Sequence, residues 1–190
     1  MIILPSAYLP PVSWFASLVR GEPIFIEQHE NYQKQTIRNR CTIDSPNGPM
    51  NLSIPIDRST FVSGKCLMKD VKISTHTDWR RQHWYAIETT YFNSPFFEYL
   101  QDDFRPFYNR EWRFLMDFNE ALIYKCIELL DIHPQIGRTK EYTGINYSVQ
   151  SEPFKPYYQV FQHKHGFLGD LSIIDLIFNM GNESILALTN

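Results

Sequence analysis

The first 27 residues contain two short apolar runs separated by one amphipathic segment. Residues 2–4 and 23–27 are the apolar runs, and residues 12–20 carry apolar side chains such as Phe15 at helical spacing. Gly21 is a typical helix terminator. The pattern predicts strand, helix, strand, an order that normally forms a right-handed parallel crossover.

A second pattern, alternation of apolar and polar positions, runs through residues 36–43 and 50–56. Asn47-Gly48 between the two segments is a typical hairpin turn. In residues 50–56 every second side chain is apolar, so one face of the hairpin is apolar and the other polar and basic. The sequence therefore predicts one antiparallel hairpin.

Helical periodicity prevails in the rest of the chain. We predict a helix beginning at Trp79 after the cap Asp78, a short helix opened by Ser94-Pro95, a helix over residues 118–130 with Asp117 and Glu120 as its capping box, and a last helix that Ser172 and Asp175 begin and Gly181 ends. Residues 71–73 and 157–161 predict strands, and residues 133–156 a long ordered loop. Together these elements predict one α/β domain over residues 1–190, with a mixed sheet, an N-terminal βαβ unit, one antiparallel hairpin and flanking helices.

Composition and charge narrow the classes of function. A net charge of −3 supplies no field for gathering phosphate backbones, so we expect no nucleic-acid partner. The three cysteines lack CxxC spacing, which argues against a disulfide framework or a zinc ribbon and favours the reducing cytoplasm. Residues 1–5 lack the features of a signal peptide, and no apolar run reaches the roughly 18 residues needed to span a bilayer.

Several short motifs, in the same order along nearly the whole chain, are similar to the WbqC-like protein family. They are Leu4-Pro5-Ser6-Ala7-Tyr8-Leu9-Pro10, Tyr32-Gln33-Lys34, Arg38-Asn39-Arg40, Leu52-Ser53-Ile54-Pro55, Trp79 with His83, Leu171-Ser172-Ile173-Ile174-Asp175-Leu176 and Phe178-Asn179-Met180-Gly181. The resemblance implies a bacterial protein of O-antigen or other surface-polysaccharide biosynthesis that acts in the cytoplasm on sugar precursors. It identifies neither a catalytic residue nor a cofactor.

The carboxyl ends of the first two predicted strands are the expected ligand-binding edge, because ligands of parallel α/β sheets bind there. The loops that follow these strands carry hydroxyl, imidazole, amide and ammonium groups: Ser6, Tyr8, His29, Asn31, Gln33 and Lys34. We predict that the two loops lie side by side and form a substrate site. The alternative is that these residues are ordinary loop caps and turn formers.

Two arginines and one aromatic pair are further candidates. Arg38 and Arg40, alternating on a strand and so roughly 7 Å apart, suit a diphosphate or carboxylate; the alternative is a charged, solvated hairpin face. Trp79 and His83 lie one helical turn apart, as a stacking surface beside a general acid or base would. A stripe of core residues has the same spacing.

No metal site is predicted. His163 and His165 alternate on a predicted strand and Asp170 or Asp175 lies nearby, but no third ligand has diagnostic spacing. Cys41 and Cys66 are interpreted as buried, inert thiols. Phosphate-binding glycine loops and the serine elbow of hydrolases are missing from the sequence.

Two functions from different classes fit these features. The first is transfer of an acyl or aminoacyl group to a nucleotide-linked amino sugar, with Lys34, Arg38 and Arg40 on the anion and His29 or His83 as the base. The second is a non-catalytic scaffold that binds a protein partner through exposed aromatics in the Phe96-Phe97 and Tyr157-Tyr158 segments. Metal-dependent hydrolysis is a third possibility, which requires bound metal.

Overall fold

A computed structural model describes residues 1–146 and 155–189. Its strands are β1 (Ile2–Pro5), β2 (Ile24–Glu27), β3 (Arg40–Ile43), β4 (Met50–Ser53), β5 (Ile56–Asp57), β6 (Lys72–Ile73) and β7 (Ile136–Arg138). Its α-helices are α1 (Val12–Ala16), α2 (Trp79–Tyr91), α3 (Phe97–Asn109), α4 (Leu115–Leu129), α5 (Gln162–His165), α6 (Ile173–Met180) and α7 (Ser184–Leu188). The protein is therefore mixed α/β, as its sequence predicts.

The opening βαβ unit is confirmed. β1 and β2 pair in parallel with Ile2 opposite Ile24, and α1 connects them. The helical segment is shorter than predicted, since only Val12–Ala16 is α-helical and Leu18–Arg20 forms a 3-10 turn. Gly21 ends it at φ 78°, a left-handed conformation that glycine adopts without strain.

β7 adds a third parallel strand beside β2, in the order β1-β2-β7. The prediction that residues 133–156 form only a loop is therefore wrong at Ile136–Arg138; residues 147–154 of that predicted loop lie outside the described residues. Three residues are too few to establish a period of two. The guanidinium of Arg138 donates to Glu120 at 2.8 Å and to Asp117 at 3.1 Å, which ties β7 to α4.

The predicted hairpin is confirmed as β3 and β4, with Arg40 opposite Ser53, and it forms a two-stranded sheet of its own. The turn before β4 has Gly48 at φ 100°. The predicted strand near residue 72 is β6, which pairs antiparallel with β5. These two small sheets are formed by the part of the chain between β2 and α2.

Several predicted helix starts need correction. α3 is a 13-residue helix instead of a short one. α4 begins at Leu115, upstream of the predicted start, because Asp117 and Glu120 bind Arg138 instead of capping the helix. α6 begins after Ser172 and ends at Gly181 as predicted, but the Ser172 hydroxyl donates to the Leu9 carbonyl, so this helix has no capping box either.

The C-terminal part differs most from its prediction. The described residues 157–161 contain no strand, and a four-residue helix, α5, follows them. The segment is anchored by side chains: Tyr157 and Gln159 donate to the buried carboxylate of Asp175 at 2.7 and 2.9 Å. No helix in the described part of the chain is long and apolar enough to cross a bilayer.

Candidate functional site

The loops after β1 and β2 lie side by side at the carboxyl edge of the parallel sheet. The backbone N–H of Tyr8 donates to the carbonyl of Ile37 at 2.8 Å, which joins the two loops directly. The predicted proximity of the two loops is therefore correct. Which side chains the two loops expose decides what this edge can bind.

The first loop turns its polar side chains inward. Ser6 accepts a hydrogen bond from the Asn119 amide at 3.1 Å, and the Tyr8 hydroxyl lies 2.8 Å from that of Tyr108. Ser6 and Tyr8 have no exposed surface at all. A ligand cannot reach either of them in this structure, contrary to the arrangement expected from the sequence.

Trp79 and His83 are also buried. Nδ1 of His83 lies 2.9 Å from the Tyr8 hydroxyl, and the ring also hydrogen-bonds to the backbone of Ser53. Burial lowers the pKa of His83 to about 4, and the backbone hydrogen bond only partly opposes this shift. Trp79 packs edge-on against His83 and Phe118. These contacts are those of the alternative interpretation, a stripe of core residues.

Glu27, at the end of β2, fixes the start of the second loop. Its buried carboxylate accepts from the backbone N–H of His29 at 2.8 Å and from the Thr139 hydroxyl at 2.9 Å. It also accepts from the backbone N–H and hydroxyl of Thr143. Burial alone would raise the pKa of Glu27, but these hydrogen bonds outweigh it and leave the pKa below its ordinary value. Glu27 is therefore an anionic anchor of the carboxyl edge.

His29 lies beside this anchor and is partly buried. Within the described residues its Nε2 atom is shielded from solvent and has no hydrogen-bond partner. The next predicted residue, Asn31, is exposed and forms an isolated antiparallel bridge with Leu67. The catalytic role of His29 and the binding role of Asn31 stay predictions.

The two predicted arginines have different environments. Arg38 precedes β3 instead of lying in it, and its buried guanidinium binds both carboxylate oxygens of Glu30, with Nε donating at 2.8 Å. Arg40 is the first residue of β3, and its Nε donates to the Ser53 hydroxyl at 2.9 Å. The two side chains do not alternate along one strand as expected. Glu30 therefore neutralises the charge of Arg38 but not that of Arg40.

The loop after β2 and residues 58–64 together line a basic groove of about 500 Å³, which we call the anion groove. Its lining residues are Tyr32, Gln33, Lys34, Thr36, Arg58, Phe61 and Gly64. Gln33 and Lys34, two of the predicted substrate-binding residues, therefore line this groove. Arg58 was not predicted. It lies in a segment between two predicted strands, and the sequence of such a segment does not indicate which side chains lie close together in the folded protein.

The pKa of Tyr32 depends on the positive charges around the anion groove. Burial raises this pKa to about 12, although the positive charges of Arg58, Arg38 and Arg40 act in the opposite direction. Three guanidinium groups therefore lie close enough to act on one phenol. Since Glu30 compensates Arg38, the charges left for a ligand are those of Arg58, Arg40 and the exposed Lys34.

A second, smaller groove adjoins the first and shares Thr36 with it. This groove, of about 280 Å³, has a mostly apolar lining surface that carries one cation and one carboxylate, and we call it the polar groove after these two charged residues, Arg40 and Asp170. Its lining residues are Leu9, Pro11, Gln35, Thr36, Ile37, Arg40, Cys41, Thr42, Asp170 and Ser172. It is built from the loops after β1 and β2, from β3, and from the loop before α6. The cleft between the two loops therefore exists, and Arg40 is the one predicted substrate-binding residue among those that line it.

Other candidates from the sequence lie elsewhere. His163 and His165 are in α5, where residues two apart diverge, and His165 instead lies 2.7 Å from the buried carboxylate of Asp44. Within the described residues no group of three or more His, Cys, Asp or Glu side chains is placed to hold a metal ion. Cys41 and Cys66 are buried, and burial raises the pKa of the Cys41 thiol.

A third groove, of about 400 Å³, lies at the opposite, amino edge of the sheet, where residues 18–22 and 132–135 meet. Glu22 in it is paired with the N-terminal ammonium group. The lining surface of this groove is mostly apolar, whereas that of the anion groove is mostly polar. The carboxyl edge is therefore the stronger candidate for a ligand site.

Comparison with known proteins gives one match. A model of the WbqC-like protein family matches residues 6–151 of this chain, which is well over half of its length. No curated protein and no solved structure gives a significant match. The matched span includes every residue that lines the anion groove, whereas Asp170 and Ser172 of the polar groove lie outside it.

Proposed function

This chain belongs to the WbqC-like protein family, and we propose that it binds a nucleotide-linked sugar in its anion groove during surface-polysaccharide biosynthesis in the cytoplasm. One observation supports this most strongly. Among the described residues that line the groove, Lys34 and Arg58 are cationic and none is acidic. Two cations in one groove without a carboxylate suit a diphosphate.

The rest of the groove suits the remainder of such a ligand. The rings of Tyr32 and Phe61 meet edge-on at 6.0 Å and provide an apolar wall against which a base or a sugar can pack. Gln33 and Thr36 supply amide and hydroxyl groups for the ligand's own hydroxyls. At Gly64 there is open space where a side chain would stand, so the backbone there can approach a ligand.

The chemical step in this proposal is transfer of an acyl or aminoacyl group from an activated donor, such as a thioester, to the amine of the bound sugar. The amide C–N bond forms, the C–S bond of the donor breaks, and the donor thiol leaves with the proton of the amine. The step requires a base for the attacking amine. His83 is poorly suited, because its ring is buried in a hydrogen-bonded cluster and its pKa is lowered to about 4. His29 remains the histidine candidate, since its Nε2 has no partner in the described part of the chain.

A scaffold role is the second candidate, and one observation favours it. Tyr85, Phe92 and Tyr99 of the α2–α3 region are each more than two-thirds exposed. The two segments first considered for this role contribute less than expected, because Phe97 and Tyr157 are buried and only Phe96 and Tyr158 have exposed rings. A scaffold would bind a protein partner through the exposed rings and would not need the anion groove.

Calorimetric titration with uridine diphosphate sugars tests the proposed function. Arg58→Gln and Lys34→Gln each remove one charge-assisted contact, which is about 1.5–3 kcal/mol, so each should weaken binding roughly 10- to 100-fold. Arg40→Ala should also weaken it. Arg20→Gln is the matched control, because Arg20 is an exposed arginine that directly precedes Gly21 at the opposite edge of the sheet.

Two results would count against the proposal. One is the absence of binding by any nucleotide sugar to the wild-type protein. The other is unchanged binding in both Arg58→Gln and Lys34→Gln, which would place the ligand outside the anion groove. The first result would favour the scaffold role.

A further inference from the structure

The polar groove is a rigid structure held by backbone hydrogen bonds between three loops. Val12 N donates to the Leu171 carbonyl at 3.0 Å, and Ile173 N donates to the Pro10 carbonyl at 2.7 Å. Ser172 N donates to the carbonyl of Thr42 on β3 at 2.8 Å. The loop before α6 is thus fixed against both the first loop and the hairpin, so the groove needs little ordering to bind a ligand.

Unfavourable backbone conformations concentrate around this groove. Five residues other than glycine have positive φ in the described ranges, and three of them line it: Leu9 at 40°, Gln35 at 59° and Asp170 at 55°. Each such conformation costs on the order of 1–3 kcal/mol and persists only where the surroundings impose it. Each of the three loops supplies one, as in sites where backbone strain positions functional side chains.

The lining of the groove carries one cation and one carboxylate. Arg40 is the cation, and its positive charge also acts on Tyr32 of the anion groove. Asp170 is the carboxylate of the polar groove; it accepts from the backbone N–H of Ser13 at 2.8 Å and from the Ser13 hydroxyl at 2.9 Å. A carboxylate has about four acceptor positions, so Asp170 can accept from a ligand as well.

Burial raises the pKa of Asp170 and outweighs the opposite effect of the hydrogen bonds from Ser13. The negative charge of Asp170 is therefore less stabilised by its surroundings than that of a carboxylate in water. A cationic donor in the groove would supply the missing stabilisation, and it would be held by a charge-assisted hydrogen bond about twice as strong as a neutral one.

We propose that the polar groove binds the ammonium group of an amino sugar, with Asp170 as its acceptor, while the diphosphate of the same ligand occupies the adjoining anion groove. This inference rests on the proposed function and adds to it the site of the sugar amine and a residue that selects it. The charges suit such a ligand, because Lys34 and Arg58 are cations of the anion groove and Asp170 is a carboxylate of the adjoining groove. The volume of about 280 Å³ corresponds to roughly nine waters of about 30 Å³ each, enough for one hexose.

Calorimetry with three probes tests this subsite: uridine diphosphate (UDP), UDP-glucose and UDP-glucosamine with a free amine. We expect the wild-type protein to bind UDP-glucosamine about tenfold more tightly than UDP-glucose, since the charge-assisted bond adds about 1.4 kcal/mol. Asp170→Asn should bring the ratio close to one and leave UDP binding unchanged. Asparagine tolerates positive φ and keeps an acceptor for Ser13. Ser13→Ala is the control, because it keeps the charge of Asp170 and should preserve the preference.

A measurement on the wild-type protein covers the case in which Asp170→Asn fails to fold. The carboxyl ¹³C signal of Asp170 should shift with UDP-glucosamine and stay in place with UDP-glucose. Equal affinities for the two sugars, an unaltered ratio in folded Asp170→Asn, or an unshifted carboxyl signal would overturn the subsite alone. If UDP itself does not bind, the proposed function fails and the subsite fails with it.

Discussion

The guanidinium of Arg38 donates to both carboxylate oxygens of Glu30, and both side chains are buried. Removing one member of such a pair leaves an uncompensated charge in the interior. Glu30→Gln should therefore lower the free energy of unfolding by about 3–5 kcal/mol, measured by urea titration. The double variant Glu30→Leu with Arg38→Met removes both charges and should recover most of that loss. A change below about 1 kcal/mol in Glu30→Gln would show that the pair is solvated.

His83 should make stability fall in mild acid. Its pKa is about 4 in the folded protein, below the ordinary value of 6.5, so the unfolded chain binds more protons between these values. The stabilisation is complete above about pH 6.5 and is lost as pH falls towards 4, by roughly 3 kcal/mol in total. His83→Gln should lack this part of the pH dependence in unfolding titrations. Identical pH profiles for the two proteins would contradict the buried, neutral imidazole.

Asp175 should contribute a dependence of opposite sign. Burial raises its pKa to about 6, although hydrogen bonds from Tyr157, Gln159 and Tyr91 lower it in part. Because the folded pKa lies above the unfolded one, this contribution to stability is complete below about pH 4 and is lost as pH rises through 6. Carbon-13 NMR of the Asp175 carboxyl should show a titration midpoint near 6. A midpoint near 4 would mean that solvent reaches this carboxylate.

Gly181 cannot be replaced by alanine without cost. Its φ is 53°, and an added Cβ would stand 2.6 Å from a ring carbon of Phe96. Gly181→Ala should lower the free energy of unfolding by roughly 2 kcal/mol or more, from backbone strain plus steric overlap. Gly48→Ala is the matched control, since Gly48 also has positive φ but open space around it. It should cost less, and an equal loss would show that Phe96 moves away freely.

Local patterns predicted the elements that depend on neighbouring residues. The βαβ unit follows from apolar runs and Gly21, and the β3–β4 hairpin from alternation and its turn. Gly181 ends α6 where it was expected. β7 was missed because three residues are too few to show a period. The start of α4 was missed because Arg138, distant in sequence, binds the two carboxylates that were predicted to cap the helix.

The sequence predicted that the two loops lie close together, but it predicted only some of the residues that line the grooves there. The sequence places the loops after β1 and β2 side by side, yet it cannot show that Ser6 and Tyr8 turn inward to Asn119 and Tyr108. Gln33 and Lys34 reach the anion groove because the second loop continues outward. Arg58 and Asp170 belong to segments that are distant in the sequence, and no local pattern predicts that they lie at the carboxyl edge of the sheet.

A crystal structure of the protein soaked with UDP-glucose shows whether the anion groove holds the diphosphate. We expect the diphosphate there, with its oxygens at about 2.7–2.9 Å from the guanidinium of Arg58 and the ammonium of Lys34. A diphosphate bound instead in the apolar groove beside Leu18 and Ile185, or a protein without bound nucleotide at saturating concentration, would contradict it.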